Sequence, residues 1–414
     1  MAGRIRVLDS ANRTMQRLGF LKPLCALVNE TETSNLISLG KRFMERMTKS
    51  VRLSSPFDEQ LKDYAKNRLT DSIYRDLRKA ILENSGNSSL TIELQDLYLA
   101  DRSLPSRTGK LVEANWRRYP YLGTALQLIK KGTYSALTRS LVLLAVTPQE
   151  ELSAFLKHDP EHNPMRLSDS QAMVLLFCFI DNDAEALLPL FQRLIEIPEG
   201  SFDERAASDL LPGILRQTVK HYRNRALTAE ERDRLALMTK TADSIDKWKE
   251  KAYTGGGARQ EAVRVRLEPF CDLGLFGKPD RDRYEYKTTD ALRVLVNRWG
   301  SVADTDRLLY EQFFATLAMA RGLQVHDAAD DEATEALVEA GEALKSSLGY
   351  SPITDVGLFA GVRMLTEKSR ILELARSIVL LKALQKQDPA LVRFTVDRMG
   401  NLAYVKFLGT VEQK

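Results

Sequence analysis

The chain has 414 residues with a net charge of +4, 44% hydrophobic and 28% charged, a balance that excludes wholesale disorder and a fibrous repeat. At roughly 100–200 residues per domain, the length predicts two to four domains. The longest apolar run, Ala172 to Ile180, is about half of the roughly 18–20 residues a membrane-spanning helix needs. The start is basic, but the apolar stretch after Leu18 is broken by Lys22 and Pro23, so no signal peptide is expected. Cys25, Cys178 and Cys271 lie far apart, which argues against a disulfide framework or a paired-cysteine metal site and suits a reducing cytoplasm.

The net charge conceals a polarity. Residues 1–150 carry 24 Lys and Arg against 15 Asp and Glu, and the remainder 36 against 41. A basic first third steers polyanions to one end of a molecule. The acidic extreme is Asp327 to Glu342, with seven carboxylates and no Lys or Arg, and reads as a solvated helix or loop.

In chain order the sequence is mostly helical, and no fixed-period repeat of about 20–50 residues supports a solenoid. Asp58 to Leu82 repeats apolar residues at helical spacing. A helix from Arg107 to Tyr119 follows, with Ser106 as cap and Pro120 closing it. Leu126 to Tyr134 reads either as a hairpin around Lys131 and Gly132 or as the start of a helix running through Val146. Helical hairpins come next: Ala172–Phe179 capped by Ser168, Ala184–Ile195, Glu204–Tyr222 and Ala229–Tyr253. Thr254 with Gly255 to Gly257 is the best linker, since consecutive glycines hold a helix poorly. Beyond it are a helix Ala258–Leu275 closing on Gly274, a polar loop, a strand Tyr284–Thr289, and helices Asp290–Trp299, Thr305–Ala320, Ala333–Leu348, Thr354–Leu365 and Glu367–Gln387. Val392–Val396 and Leu402–Phe407 alternate on either side of a Gly-Asn turn and predict a β-hairpin. The expected domains are 1–146, 147–254, 258–348 and 349–414.

Arg264 to Lys278, with its Leu273-Gly274-Leu275 corner, followed by Tyr284 to Leu292, resembles the end of a winged-helix domain. Looser likenesses lie at 107–138 and 367–407. The resemblance covers about thirty-five residues of the chain. It implies a mainly helical, multi-domain protein with winged-helix modules and short β-hairpins, and a binding module with no catalytic residue. Winged helices often place the helix before the wing in a DNA major groove. A projection at about 100° per residue puts Val263, Leu267 and Phe270 on the buried side, Glu261, Val265 and Glu268 opposite, and Arg264 and Arg266 on the flanks. The wing contacts to DNA would be Arg264, Lys278, Arg281, Arg283 and Lys287. On the basic third, Lys110 and Arg117 face away from Leu111, Val112, Trp116 and Tyr119, Arg107 and Arg118 lie at the edge, only Glu113 opposes them, and Lys130, Lys131 and Arg139 extend that surface. Phosphate contacts from such residues are independent of DNA sequence and sensitive to salt.

Catalytic patterns are sparse. His158 and His162 are four apart, but Pro160 breaks the helix that would align them, and the Glu is not beside the first His as a zinc-protease motif requires. His221 lies among Lys220, Arg223 and Arg225 and belongs to a basic face. Asp181 and Asp183 read as a turn between helices rather than nuclease carboxylates. No phosphate-binding loop or serine-hydrolase motif occurs, and no metal or cofactor is expected. The expected partners are double-stranded DNA and other protein subunits. The function expected is a non-catalytic DNA-binding regulator or the DNA-contacting subunit of a larger assembly. The alternative is a scaffold subunit of a genome-maintenance or antiviral-defence complex, favoured by Glu261 and Glu268.

Overall fold

The computed structural model describes residues 5–8, 18–31, 36–47, 50–54, 89–93, 119–130, 135–145, 167–251, 262–278, 285–397 and 402–408. The expected helix Asp58–Leu82, most of Arg107–Tyr119, both histidines of the 158–162 pair, the glycines 255–257 and the 398–401 turn lie outside them.

The N-terminal part supplies α1 (Leu21–Thr31), α2 (Leu36–Met47), the antiparallel pair β1 (Ser50–Ser54) and β2 (Ser89–Glu93), α3 (Tyr119–Ala125) and α4 (Ala136–Leu143). Pro120 is the second residue of α3 rather than the end of a helix, because a proline's fixed φ and missing N–H suit a first turn. Of the two readings of 126–146, the continuous helix fails, and the turn at Lys131 and Gly132 lies outside the described residues. Residues 126–129 are turn, and α4 begins afresh where the Ser135 side chain accepts the Thr138 N–H.

The chain then runs through α5 (Asp169–Ile195), β3 (Ser201–Asp203), α6 (Glu204–Tyr222), α7 (Ala229–Glu250), α8 (Glu268–Asp272), β4 (Phe276–Gly277), β5 (Glu285–Thr288) and α9 (Asp290–Trp299). Two expected helices, Ala172–Phe179 and Ala184–Ile195, are one helix, α5. Ser168 and Gln171 open it with a reciprocal capping box, and Asp183 kinks it at φ −138°, ψ 21°. Its apolar residues point in every direction, which only a buried helix tolerates, and Met173 to Ile180 are all buried.

The expected continuous helix Ala258–Leu275 is interrupted. Residues 262–264 are helical, 265–267 are turn, and α8 starts at Glu268. Pro269 is the cause, since its ring clashes with the carbonyl four residues back and has no N–H to donate. The break shifts the phase of the wheel, so residues expected opposite the core and on its flank are inside: Val265 is 1% exposed, Glu268 0%, and the flanking Arg266 1%. Gly274 closes the segment at φ +75°, as expected, in a conformation that favours glycine.

Beyond α9, a helical stretch comprises Thr305–Arg307, a π-turn Leu308–Gln312 and α10 (Phe313–Ala320). There follow β6 (His326–Asp327), α11 (Asp330–Ala343), β7 (Ser351–Pro352), α12 (Ile353–Lys368), β8 (Arg370–Ile371), α13 (Leu374–Gln387), β9 (Val392–Val396) and β10 (Leu402–Phe407). The expected helix Glu367–Gln387 is split. Ser369 takes a left-handed conformation at φ +54° and β8 pairs in parallel with β6. Glu373 then turns away from its own chain to accept the N–H groups of Phe314 and Ala315 at 3.2 and 2.8 Å, capping a helix distant in sequence.

Two stretches share a connectivity. The latter part of α5, β3, α6, α8, β4 and β5 give helix, strand, helix, helix, strand, strand, with α7 inserted; α11, β7, α12, α13, β9 and β10 give the same order, with the two-residue β8 inserted. Both sheets are antiparallel with the third strand in the middle, β3-β5-β4 and β7-β10-β9. The first stretch shares its core with the N-terminal part, around Phe179, Phe191, Phe270 and Trp299. The second has a smaller core around Leu337, Val356, Phe359, Leu381, Val392 and Val405. Among the described residues, no helix is long and apolar enough to cross a membrane.

Close approach fixes Gly361 on α12: an added Cβ would strike the Phe314 ring and lie 2.7 Å from the Leu372 carbonyl oxygen. Gly361→Ala is expected to cost about 1–3 kcal/mol through overpacking, although alanine by itself favours a helix by about 1 kcal/mol. Urea unfolding checks this, and a variant as stable as wild type contradicts the packing.

Candidate nucleic-acid interface

Five of the cations expected to touch DNA are placed by the structure, and they fall into two groups. Arg264 is 8% exposed and grips Glu204 with Nε at 2.7 Å and Nη2 at 3.2 Å. Lys278 donates to Glu268 Oε1 at 2.8 Å, and its side chain is 8% exposed. Glu268 also accepts the Tyr286 hydroxyl at 2.6 Å. Burial, with Glu268 adding to it, pushes the Tyr286 hydroxyl well above its ordinary range. These charges are spent inside the protein. Lys287 is exposed on β5, opposite Gly277 of β4, and Lys130 and Arg139 are half-buried. Lys130 lines a cavity of about 600 Å³ with Tyr121, Gln127, Asn182, Asp233 and Arg234. Arg107, Lys110, Arg117, Arg118, Lys131, Arg281 and Arg283 lie outside the described residues.

The surface that sequence reasoning missed is on α13. Val379, Lys382, Ala383 and Lys386 are exposed at positions i, i+3, i+4 and i+7 of that helix, so they form one face. Val379 is 63% exposed. No carboxylate occurs within α13. Arg393, exposed on the adjoining β9, adds a third cation. None of the three has an ion-pair partner among the described residues. The neighbouring acidic helix α11 does not neutralise them: none of its carboxylates pairs with Lys382, Lys386 or Arg393, and three of them hold other cations. Asp330 holds Arg376 at 2.6 Å, Glu339 holds Arg363 at 3.1 Å, and Glu332 lies 3.3 Å from Lys368. The available signal was the Lys382 and Lys386 pair, spaced one helical turn apart in a segment without acids.

No family model, curated protein or solved structure matches this chain.

Asp181 and Asp183, expected in a turn between two helices, lie inside α5 and have structural duties around its kink. Asp181 Oδ1 lies 3.4 Å from Arg6 Nε. Asp183 is fully buried, accepts the Leu8 N–H at 3.0 Å and Arg266 Nη2 at 2.9 Å, and has Arg266 Nε 2.8 Å from its other oxygen. Two residues on, Glu185 accepts the Arg6 N–H at 2.9 Å and the Tyr222 hydroxyl at 3.0 Å. The N-terminal segment Ile5 to Leu8 is thereby tied into the core by its backbone. Burial pushes the Cys25 thiol up to about 12 and raises that of Cys178 well above its ordinary value, which disfavours the reactive thiolate. Among the described residues, no group of three or more His, Cys, Asp and Glu is arranged to hold a metal ion.

Proposed function

We propose that this chain is a non-catalytic DNA-binding protein built from winged-helix modules, acting as a regulator or as the DNA-contacting subunit of a larger assembly. The observation that carries this reading is the free cationic face of α13, formed by Lys382 and Lys386 with Arg393 alongside, in the helix that precedes a strand pair. The repeated order of helix, strand, helix, helix and strand pair, with the third strand central, is the order a winged helix follows and supports the modules. A groove-facing helix gains most of its affinity from phosphate neutralisation, and small apolar residues such as Val379 and Ala383 permit close approach to the base edges.

A second reading has its own support. In the first stretch the helix before the wing, α8, carries no Lys or Arg and keeps Glu268 and its partners inside, so α8 does not offer a cationic face as α13 does. That unit suits a scaffolding role toward other protein subunits, of the kind a genome-maintenance or antiviral-defence complex needs. The two readings are compatible within one chain, with α13 touching DNA and the first unit touching protein.

The test is the affinity of the full chain for labelled duplex DNA across a salt series. Reversing Lys382 and Lys386 to Glu is expected to weaken binding about tenfold or more at low salt, and to flatten the slope of log affinity against log salt by about 2. Wild-type protein without salt-dependent affinity, or a reversal that changes nothing, contradicts the reading.

A further inference from the structure

The α6–α7 hairpin is electrically graded along its length. Toward its base two of the cations are matched: Lys249 Nζ lies 2.8 Å from Asp209, and Arg216 Nη2 lies 2.8 and 2.6 Å from Asp243 and Asp246. Toward its tip they are not. Between Asp209 and Glu230 the chain has no carboxylate, while it carries Arg216, Lys220, His221, Arg223 and Arg225. Lys220, Arg223 and Arg225 are exposed and have no ion-pair partner among the described residues. The nearest acids on α7 are committed elsewhere. Glu230 holds Arg234 at 2.6 Å, Glu231 accepts the Thr228 N–H at 2.8 Å, and Asp233 faces the cavity that Lys130 lines.

Arg225 is also held in place. Its guanidinium carbon lies 4.8 Å from the centre of the Tyr222 ring, and Nη2 is 2.9 Å from His221 Nε2. Tyr222 is 7% exposed and anchored by its hydroxyl to buried Glu185. A guanidinium stacked on an anchored ring loses little freedom on binding, and its fork matches phosphate oxygens. Lys220 stands in the last turn of α6, where a cation also offsets the helix dipole. Arg223 caps that helix and Arg225 lies beyond it, so the dipole does not account for the whole cluster.

We propose that the tip of the α6–α7 hairpin is a second nucleic-acid contact, at which Arg223 and Arg225, with Lys220 beside them, bind the phosphate backbone of duplex DNA. This rests on the DNA-binding reading above and adds a surface on the first unit, distinct from α13. Charge complementarity selects the occupant. A membrane surface is less well matched, because binding there needs apolar side chains beside the cations, and no large hydrophobic side chain is exposed at the tip.

The experiment measures duplex binding by fluorescence anisotropy between about 50 and 200 mM salt, using the full chain as wild type, R223E/R225E and K382E/K386E. R223E/R225E is expected to weaken binding about tenfold and to lower the salt slope by about 2, as two lost phosphate contacts require. The conservative R223K/R225K is expected to retain most of both. If R223E/R225E leaves affinity and slope unchanged while K382E/K386E loses them, the tip proposal fails and the DNA reading stands. If wild type does not bind even at the lowest salt, both fail. Sedimentation with phosphatidylserine vesicles that is lost in R223E/R225E, with DNA affinity intact, assigns the tip to membranes and overturns the proposal. Circular dichroism and melting check each fold, and R223Q/R225Q replaces the reversal should it unfold.

Discussion

Arg266→Met is expected to lower the unfolding free energy by about 3–5 kcal/mol, because it leaves the carboxylate of Asp183 buried without its counter-charge. The side chains of Arg266 and Asp183 are 1% and 0% exposed, so water cannot enter to replace the missing partner. The loss reaches further than the pair. Asp183 also accepts the Leu8 N–H, and the α5 kink at this residue presents Glu185 to Arg6 and Tyr222. Loosening Asp183 therefore loosens the N-terminal segment as well. The double variant D183N/R266M removes both charges and keeps an oxygen for Leu8, so it is expected to be more stable than R266M alone. Chemical denaturation of the three proteins decides the matter. A cost below about 1 kcal/mol for R266M is of the size seen for exposed pairs, and it would be inconsistent with a pair closed to solvent.

The second large effect is on the pH dependence of stability. Burial raises the Glu185 carboxyl to about 7, against the hydrogen bonds from Tyr222 and the Arg6 N–H that favour its charge. Burial likewise raises Asp355 to about 6, with nearby Lys130 opposing and Asp181 adding, and Glu373 to about 7, against the N–H groups of Ala315 and Phe314. Each group binds its proton more tightly in the folded chain than in the unfolded one. The native state therefore holds more protons between the ordinary carboxylate range and about 7, and stability falls as pH rises through that window. A shift of about two units is worth up to roughly 3 kcal/mol for one group. Unfolding free energy is expected to drop by a few kcal/mol between about pH 5.5 and 8. Glu185→Gln, in which the Tyr222 hydroxyl accepts from the new amide, is expected to remove its share of that drop. A stability profile that rises over the same range, or an unchanged profile in the variant, would falsify the assignment.

Much of the local structure was legible because its causes are local. Ser168 with Gln171 and Thr228 with Glu231 form capping boxes within four residues, and Asp203 caps α6 at the expected start. The spans Glu204–Tyr222, Asp290–Trp299, Val392–Val396 and Leu402–Phe407 coincide with the expectation. Pro269 and Ser369 were the local failures. Pro269 broke a helix that the periodicity carried straight through, and Ser369 adopted a left-handed turn that apolar spacing does not signal.

The sequence by itself determined a mainly helical chain, a basic first third, an acidic stretch at Asp327 to Glu342 and the terminal hairpin, because composition, capping and alternation act between near neighbours. Only the tertiary structure decided which charges are available to a partner. Arg264 meets Glu204 across 60 residues and Arg266 meets Asp183 across 83, while Lys278 meets Glu268 around the Gly274 corner and β4. Lys382, Lys386, Arg223 and Arg225 meet no carboxylate among the described residues. A cation's partner is set by which distant segment packs against it, and burial multiplies the strength of that choice by removing water. Residue type and spacing carry no record of that packing, so the same lysine or arginine reads alike in the sequence whether it is locked inside or free on the surface.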